Sequence, residues 1–207
     1  ETTEVKPGYF ASPWPSAELT KVHNCKVGIL GTSLSGIDAV LTVATNNGSF
    51  VHDEAGNLRL PTKDSYDDFC VTMMSRKGLL PEADFYCPLP YRDPQICTQQ
   101  AVQREIDAGT FGLLDRVFEL FRRELFEADP DYAAQIGLHS LTVETFAEAY
   151  YGRRSDVDPF VWAAANLAET KLNFDRQHTV PWRYAILVTH EIIELMIPHL
   201  DTADLER

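Results

Sequence analysis

The sequence predicts an α/β chain: a partial Rossmann-like parallel-sheet unit with a hairpin insertion, then a mainly helical C-terminal part. Three observations predict it. A short apolar run, Lys26-Val27-Gly28-Ile29-Leu30, leads through a glycine-bearing turn into residues of helical period. A second apolar run, Phe69-Cys70-Val71-Thr72-Met73-Met74, follows some way downstream. From about residue 98 the apolar residues recur every three or four positions, the period of an amphipathic helix. We therefore expect residues 1–97 to form a nucleotide-binding unit with a Pro-rich N-terminal linker, and residues 98–207 to form a helical extension packed on it.

The elements follow in order. Residues 1–25 carry Pro7, Pro13 and Pro15, which forbid a regular helix or a central strand. They also carry Tyr9, Phe10 and Trp14, so the segment is expected to lie packed on a surface. Residues 26–30 and 69–74 read as buried parallel strands. Between them, Ile37, Val40, Leu41 and Ala44 give a helix, stopped by Asn46-Asn47-Gly48. Residues 49–68 read as a hairpin: Phe50-Val51-His52 and Leu58-Arg59-Leu60 flank the turn-rich Asp53-Glu54-Ala55-Gly56-Asn57. Residues 81–97 are Pro-rich and irregular. Beyond them Phe111, Leu114, Val117, Phe118, Phe121 and Leu125 form a helical stripe. Asp129-Pro130 and Asp158-Pro159 each pair an N-cap with a first-turn proline, and Pro181 opens a helix running to about Pro198.

Composition bounds the function. Apolar residues at 44% and charged residues at 24% permit a sizeable core. The net charge of -13 opposes general nucleic-acid binding and docking on an anionic membrane, both of which need a basic face. No apolar run reaches the length of a membrane span. Cys25, Cys70, Cys87 and Cys97 form no C-x-x-C pair and read as reduced thiols of a cytoplasmic protein. The chain begins at Glu1 without methionine, and we expect an excised piece of a longer protein.

The chemistry centres on Gly28-Ile29-Leu30-Gly31-Thr32-Ser33-Leu34-Ser35-Gly36. Against the dinucleotide fingerprint G-x-G-x-x-G it gives Gly31-x-Ser33-x-x-Gly36. Gly31 suits the tight turn from strand to helix, and Gly36 lets the helix lie close on the sheet. Ser33 replaces the glycine over which a pyrophosphate would pass. The helix start would aim backbone N–H groups and its positive dipole end at that pyrophosphate, with Thr32, Leu34 and Ser35 alongside. The alternatives are an ordinary tight turn without ligand and a hydrolase nucleophile elbow. The elbow pattern G-x-S-x-G fails at Ser35.

After the second strand comes Ser75-Arg76-Lys77-Gly78. An NAD site usually places an acid there to hold the ribose hydroxyls. Two cations and a hydroxyl instead suit a 2′-phosphate, so the expected cofactor is NADP(H). The alternative is a solvated turn. Gly31 lies about 45 residues before Arg76, where the fingerprint expects about 20, and the hairpin accounts for the excess. Elsewhere, His190-Glu191-Ile192-Ile193-Glu194 lacks the second histidine of the zinc motif H-E-x-x-H and reads as a helix-surface pair, so no metal site is expected. Arg122-Arg123 and Arg153-Arg154 are expected to be solvated.

Three segments resemble the NAD(P)-binding region of the FAD-NAD(P)-binding flavoprotein family, relatives of flavin-containing and N-hydroxylating monooxygenases. They are Gly8-Tyr9-Phe10-Ala11-Ser12-Pro13-Trp14-Pro15, Gly28 to Asp38, and Met74-Ser75-Arg76-Lys77-Gly78-Leu79-Leu80-Pro81. The resemblance covers roughly residues 8–90 and only loosely the helical part. It implies that Gly31 to Ser35 contact the pyrophosphate and that Ser75 and Arg76 lie near the adenosine ribose. It also implies an FAD-binding part of the same polypeptide upstream of Glu1. This chain would then bind no FAD, carry no catalytic side chain and be inactive alone, because hydride transfer is the cofactors' own chemistry. The alternative is a non-catalytic module that senses nucleotide or binds a protein partner.

Overall fold

The structure is a computed structural model that describes residues 4–61 and 68–207. The chain is mixed α/β and divides into two compact units, Glu1–Pro81 and Glu82–Arg207.

In the first unit, β1 (Glu4–Lys6) and β2 (Tyr9–Phe10) pair antiparallel around Gly8, whose φ of +78° suits a residue without Cβ. A 3-10 turn at Ser16–Lys21 then buries Leu19. Next come β3 (Lys26–Leu30), α1 (Leu34–Asn47), the short strands β4 (Val51–His52) and β5 (Leu58–Arg59), and β6 (Cys70–Met74). β3 and β6 pair in parallel, in register from Lys26 opposite Cys70 to Leu30 opposite Met74. β4 and β5 form the expected hairpin, held by Asp53, whose carboxylate accepts from the Ala55 and Asn57 N–H groups and from Arg59 Nε. The end of that insertion, residues 62–67, lies outside the described residues.

The core of this unit is Leu19, Ala39 and Val43, flanked by Val22, Val27, Ile29 and Val71. The helix reading needs correcting in phase. α1 buries Gly36, Ala39, Val43, Ala44 and Asn47, whereas Leu41 is exposed. The buried face is the one made of small residues, which allow the helix to come close to the strands. Buried Asn47 is fully used: Oδ1 accepts from Asn24 N–H at 2.8 Å, and Nδ2 donates to Val22 and Val43 carbonyls at 3.0 and 2.8 Å. The strands also depart from expectation. They alternate: Val27, Ile29, Val71 and Met73 turn toward α1, while Lys26, Gly28, Leu30, Cys70, Thr72 and Met74 are exposed. They are half-buried strands, not fully buried ones.

The second unit holds α2 (Gln99–Asp107), α3 (Leu113–Ala128), α4 (Pro130–Gln135), α5 (Val143–Ser155), α6 (Pro159–Arg176), α7 (Pro181–Glu194) and α8 (Thr202–Leu205). Both Asp-Pro starts behave as read. Asp129 accepts from Tyr132 N–H, and Asp158 accepts from the Phe160 and Val161 N–H groups. The core gathers Cys97, Val102, Leu113, Val117, Phe121, Leu125, Leu138 and Met196. Phe111 is no part of the stripe. It precedes α3 and is 91% exposed. The unit boundary falls after Pro81, earlier than the change of sequence character at 97/98. The irregular segment is fastened to the helices along its length: Glu82 accepts from the Tyr150 hydroxyl and from Arg154, Ala83 N–H donates to Asn166, and the buried Glu124 carboxylate on α3 accepts the backbone N–H groups of Gln95, Ile96 and Cys97.

Candidate functional site

Gly31 follows β3 with φ +119°, a conformation that disfavours any side chain. Its N–H donates to the Met74 carbonyl at 2.7 Å, so the turn leaves the sheet in register with the end of β6. The Thr32 hydroxyl donates to the Leu79 carbonyl at 2.6 Å and ties the turn to the segment after β6. Ser33 is the N-cap of α1 in extended conformation, and its side chain makes no capping bond. Leu34 and Ser35 open the helix on the exposed side. The first turn of α1 holds no acidic residue, so its positive end is not neutralised locally. Gly36 is buried, and a Cβ built there would lie 2.8 Å from the Gly31 carbonyl oxygen. Only glycine fits between helix and turn.

Ser75, Arg76 and Lys77 lie on a tight turn directly after β6, closed by Gly78 N–H to Ser75 carbonyl at 3.3 Å, with Gly78 at φ +64°. Arg76 and Lys77 are exposed and Ser75 is half-buried. The parallel register, the Gly31–Met74 bond and the Thr32–Leu79 bond bring the two sequence-predicted segments, 31–36 and 75–77, to one end of the same strand pair.

Other predicted features fare differently. His190 and Glu194 are exposed on α7, and the His190 ring meets the Leu187 carbonyl. Among the described residues no group of three or more His, Cys, Asp or Glu is arranged to hold a metal. The four cysteines are free. Arg154 corrects the expectation of a solvated pair. It is buried, its Nη1 donates to Glu82 at 3.1 Å, and its guanidinium lies 3.8 Å over the Trp162 ring. Arg183 on α7 is buried too and makes a two-pronged bond to Glu169. A lone arginine in a helical period gives no sequence signal of burial, because its partner Glu82 lies far away in sequence. Sequence reasoning also missed a cleft of about 540 Å³ in the helical unit, lined by Pro88, Arg92, Pro94, Pro181, Tyr184 and Val188. Its prolines read only as chain breakers.

Fold and site together define a mixed α/β chain with a strand–glycine turn–helix element and a separate helical unit. Residues 98–207 match the family described as YdhS-like middle domain, and the chain belongs to that family. Over 199 residues it is 47% identical to the uncharacterized protein YdhS of Escherichia coli (strain K12), a match that covers 96% of this chain and 37% of that protein. The chain thus spans little more than a third of the length of the curated relative it matches. No solved structure matches it. These findings correct the resemblance drawn to the FAD-NAD(P)-binding flavoprotein family. The family is a different one, and its match lies in the helical part, where that resemblance was loosest. A glycine turn between strand and helix is shared by many unrelated chains, so it identifies a backbone shape before it identifies a family. No helix of the described residues is long and apolar enough to cross a membrane.

Proposed function

We propose that residues 26–78 are a partial Rossmann-like unit that binds NADP(H). In the longer protein the cofactor would serve an FAD-dependent oxidoreductase or monooxygenase, its flavin held outside these residues. The carrying observation is the convergence of the Gly31–Gly36 turn with Ser75, Arg76 and Lys77 through the parallel register and two hydrogen bonds. Ligands of open α/β sheets bind at the carboxyl ends of the strands, which is where both segments lie. The start of α1 supplies N–H groups for a pyrophosphate, and Thr32 and Ser35 supply hydroxyls. Arg76 offers a planar fork to a 2′-phosphate, Lys77 a point charge and Ser75 a hydroxyl donor. When bound, the nicotinamide supplies a hydride. The residues of this chain bind and orient the nucleotide.

Nucleotide titration of the longer protein at fixed salt, with wild type and Arg76→Ala, tests this. A hydrogen bond to a charged group is worth about 1.5–3 kcal/mol net. The substitution should therefore weaken NADP(H) roughly 10- to 100-fold and leave NAD(H) nearly unchanged. Equal losses for both nucleotides would reduce Arg76 to a structural role, and a wild type that prefers NAD(H) would overturn the cofactor choice. The flavin has its own arm. The longer protein should purify yellow and the 207-residue chain colourless, and a colourless longer protein that takes up no added FAD sinks that part. The second reading is a non-catalytic module that binds a protein partner. It is favoured by one feature, the exposed apolar face of α6.

A further inference from the structure

One side of α6 presents polar groups to the interior of the helical unit. Trp162, Asn166 and Thr170 follow one another at single-turn spacing. Against them stand Arg154 of α5, over the Trp162 ring, and Ala83 of the irregular segment, on Asn166. The side chains of Arg154 and of Arg183 on α7 are each 9% exposed. The Glu82 carboxylate lies between them. Its Oε1 accepts from the Tyr150 hydroxyl at 2.9 Å and from Arg154 Nη1 at 3.1 Å, and its Oε2 lies 3.6 Å from Arg183 Nε. Burial, and then the Glu82 carboxylate, push the Tyr150 phenol up, so it stays a donor. The next residue is held by its backbone: Asn166 Oδ1 accepts the Ala83 N–H at 2.8 Å. Tyr86 then meets Phe174 edge-on at 5.6 Å between centroids, so the segment runs along α6 toward the end of that helix.

This occupant leaves the site incompletely used. Asn166 Nδ2, Thr170 Oγ1 and Arg183 Nε are buried without a hydrogen-bond partner among the described residues. Native proteins leave few such atoms. All three can donate, so the missing partner is an acceptor. An amide that takes a peptide N–H at its oxygen is suited to give its own N–H to a peptide carbonyl, and Asn166 makes only the first of these bonds. Charge sets the other requirement. Without Glu82 the two buried guanidinium groups would face only Glu169, an exposed carboxylate paired to Arg183, so the slot demands an acid.

We propose that this site recognises an acidic peptide segment of a partner protein, extended along α6, and that residues 82–86 fill it as an internal stand-in. A glutamate of the partner takes the place of Glu82, and the N–H that follows it meets Asn166 Oδ1. The partner's carbonyl groups take the bonds that Asn166 Nδ2 and Thr170 Oγ1 leave unmade, and an aromatic four residues beyond the glutamate meets Phe174. Exchange begins at Glu82, whose side chain is 23% exposed and which sits on a segment without regular structure. The proposal uses the helical unit alone and is independent of nucleotide binding.

Fluorescence polarisation tests this with a blocked, labelled probe that carries residues 80–86 of the chain, Leu-Pro-Glu-Ala-Asp-Phe-Tyr. The tether presents Glu82 at an effective concentration on the order of millimolar, so the wild type should bind the probe weakly. Glu82→Gln keeps the shape of the internal occupant and removes its charge. It should bind the probe roughly 10- to 100-fold more tightly than the wild type does, in the 207-residue chain and in the longer protein. A probe with glutamine in place of its glutamate should lose that gain. A wild-type measurement covers a variant that fails to fold: millimolar probe should speed hydrogen exchange of the Ala83 N–H, which displacement frees from Asn166. Equal affinity of the wild type and a folded Glu82→Gln overturns the proposal, as does indifference to the probe's glutamate. So does an Ala83 N–H whose protection millimolar probe leaves unchanged.

Discussion

Cys97 is fully buried at the start of the helical unit, and burial, with the Glu124 carboxylate beside it, pushes its thiol up to about 12. A thiolate is the reactive form, so almost none is present near pH 8. Mass spectrometry after iodoacetamide treatment at that pH should find exposed Cys25 and Cys70 modified and Cys97 intact until denaturant is added. Modification of Cys97 at the same rate would mean the 95–97 segment opens freely despite Glu124. At this scale the sequence was informative where backbone geometry decides the residue. Gly31 and Gly36 are where the fingerprint put them, one for its positive φ and the other for lack of space. It was uninformative where a polar group is buried by a distant partner. Arg154 read as solvated, and nothing in the sequence marked Asn47, Glu124 or Arg183 as buried, because groups that bond them lie on other elements.

α3 is the central element of the helical unit. It buries Leu113, Val117, Phe121 and Leu125, a repeat of four, and sets Phe121 edge-on to Phe146 of α5 at 5.3 Å between centroids. Truncating such a buried aromatic costs about 3–5 kcal/mol. Phe121→Ala should lower denaturant stability by that amount, and a change under about 1 kcal/mol would remove the stripe from the core. Phe118, only partly buried, should cost less. Element existence was legible from period and punctuation: the Asp-Pro starts, the Asn46–Gly48 stop and the hairpin around Asp53. Phase was not. For α1 the helical spacing of Ile37, Val40, Leu41 and Ala44 was read, but of these only Ala44 is fully buried, and Gly36, Ala39, Val43 and Asn47 complete the buried face. For α6 only the start was read, and the helix buries Asn166 and Asn173 while Phe160, Val161 and Leu167 are exposed.

Across the whole molecule, Arg207 joins three places. It bonds Asp115 on α3, Glu144 on α5 and Asp204 on α8. The hydrogen bonds from Arg207 and then Thr142 hold the Glu144 carboxyl down at about 2, and Asp115 is lowered chiefly by Arg207. The sign follows. A carboxylate with a depressed folded pKa contributes stability in full above its ordinary pKa of 4.5 and loses it as pH falls toward 2. Arg207, Asp115 and Glu144 are exposed, so their effect is modest and screened by salt. The melting temperature should drop between pH 5 and pH 2, and Arg207→Ala should flatten part of that drop. A parallel curve for the variant would show the bonds are not formed in solution. The sequence changes character near residue 98, and the family match begins at that position. The compact units nevertheless divide after Pro81, since Glu82 and Ala83 already bond Tyr150, Arg154 and Asn166. The register of β3 with β6 joins residues 44 apart, with α1 and the hairpin between, so the pairing must close a long loop before it gains any contact. In the helical unit α2, α3 and α4 pack on one another as neighbours in sequence, whereas α7 reaches α3 from more than 50 residues away. On refolding the α2–α4 segment should form early, and the glycine turn should acquire its shape only when the strands meet.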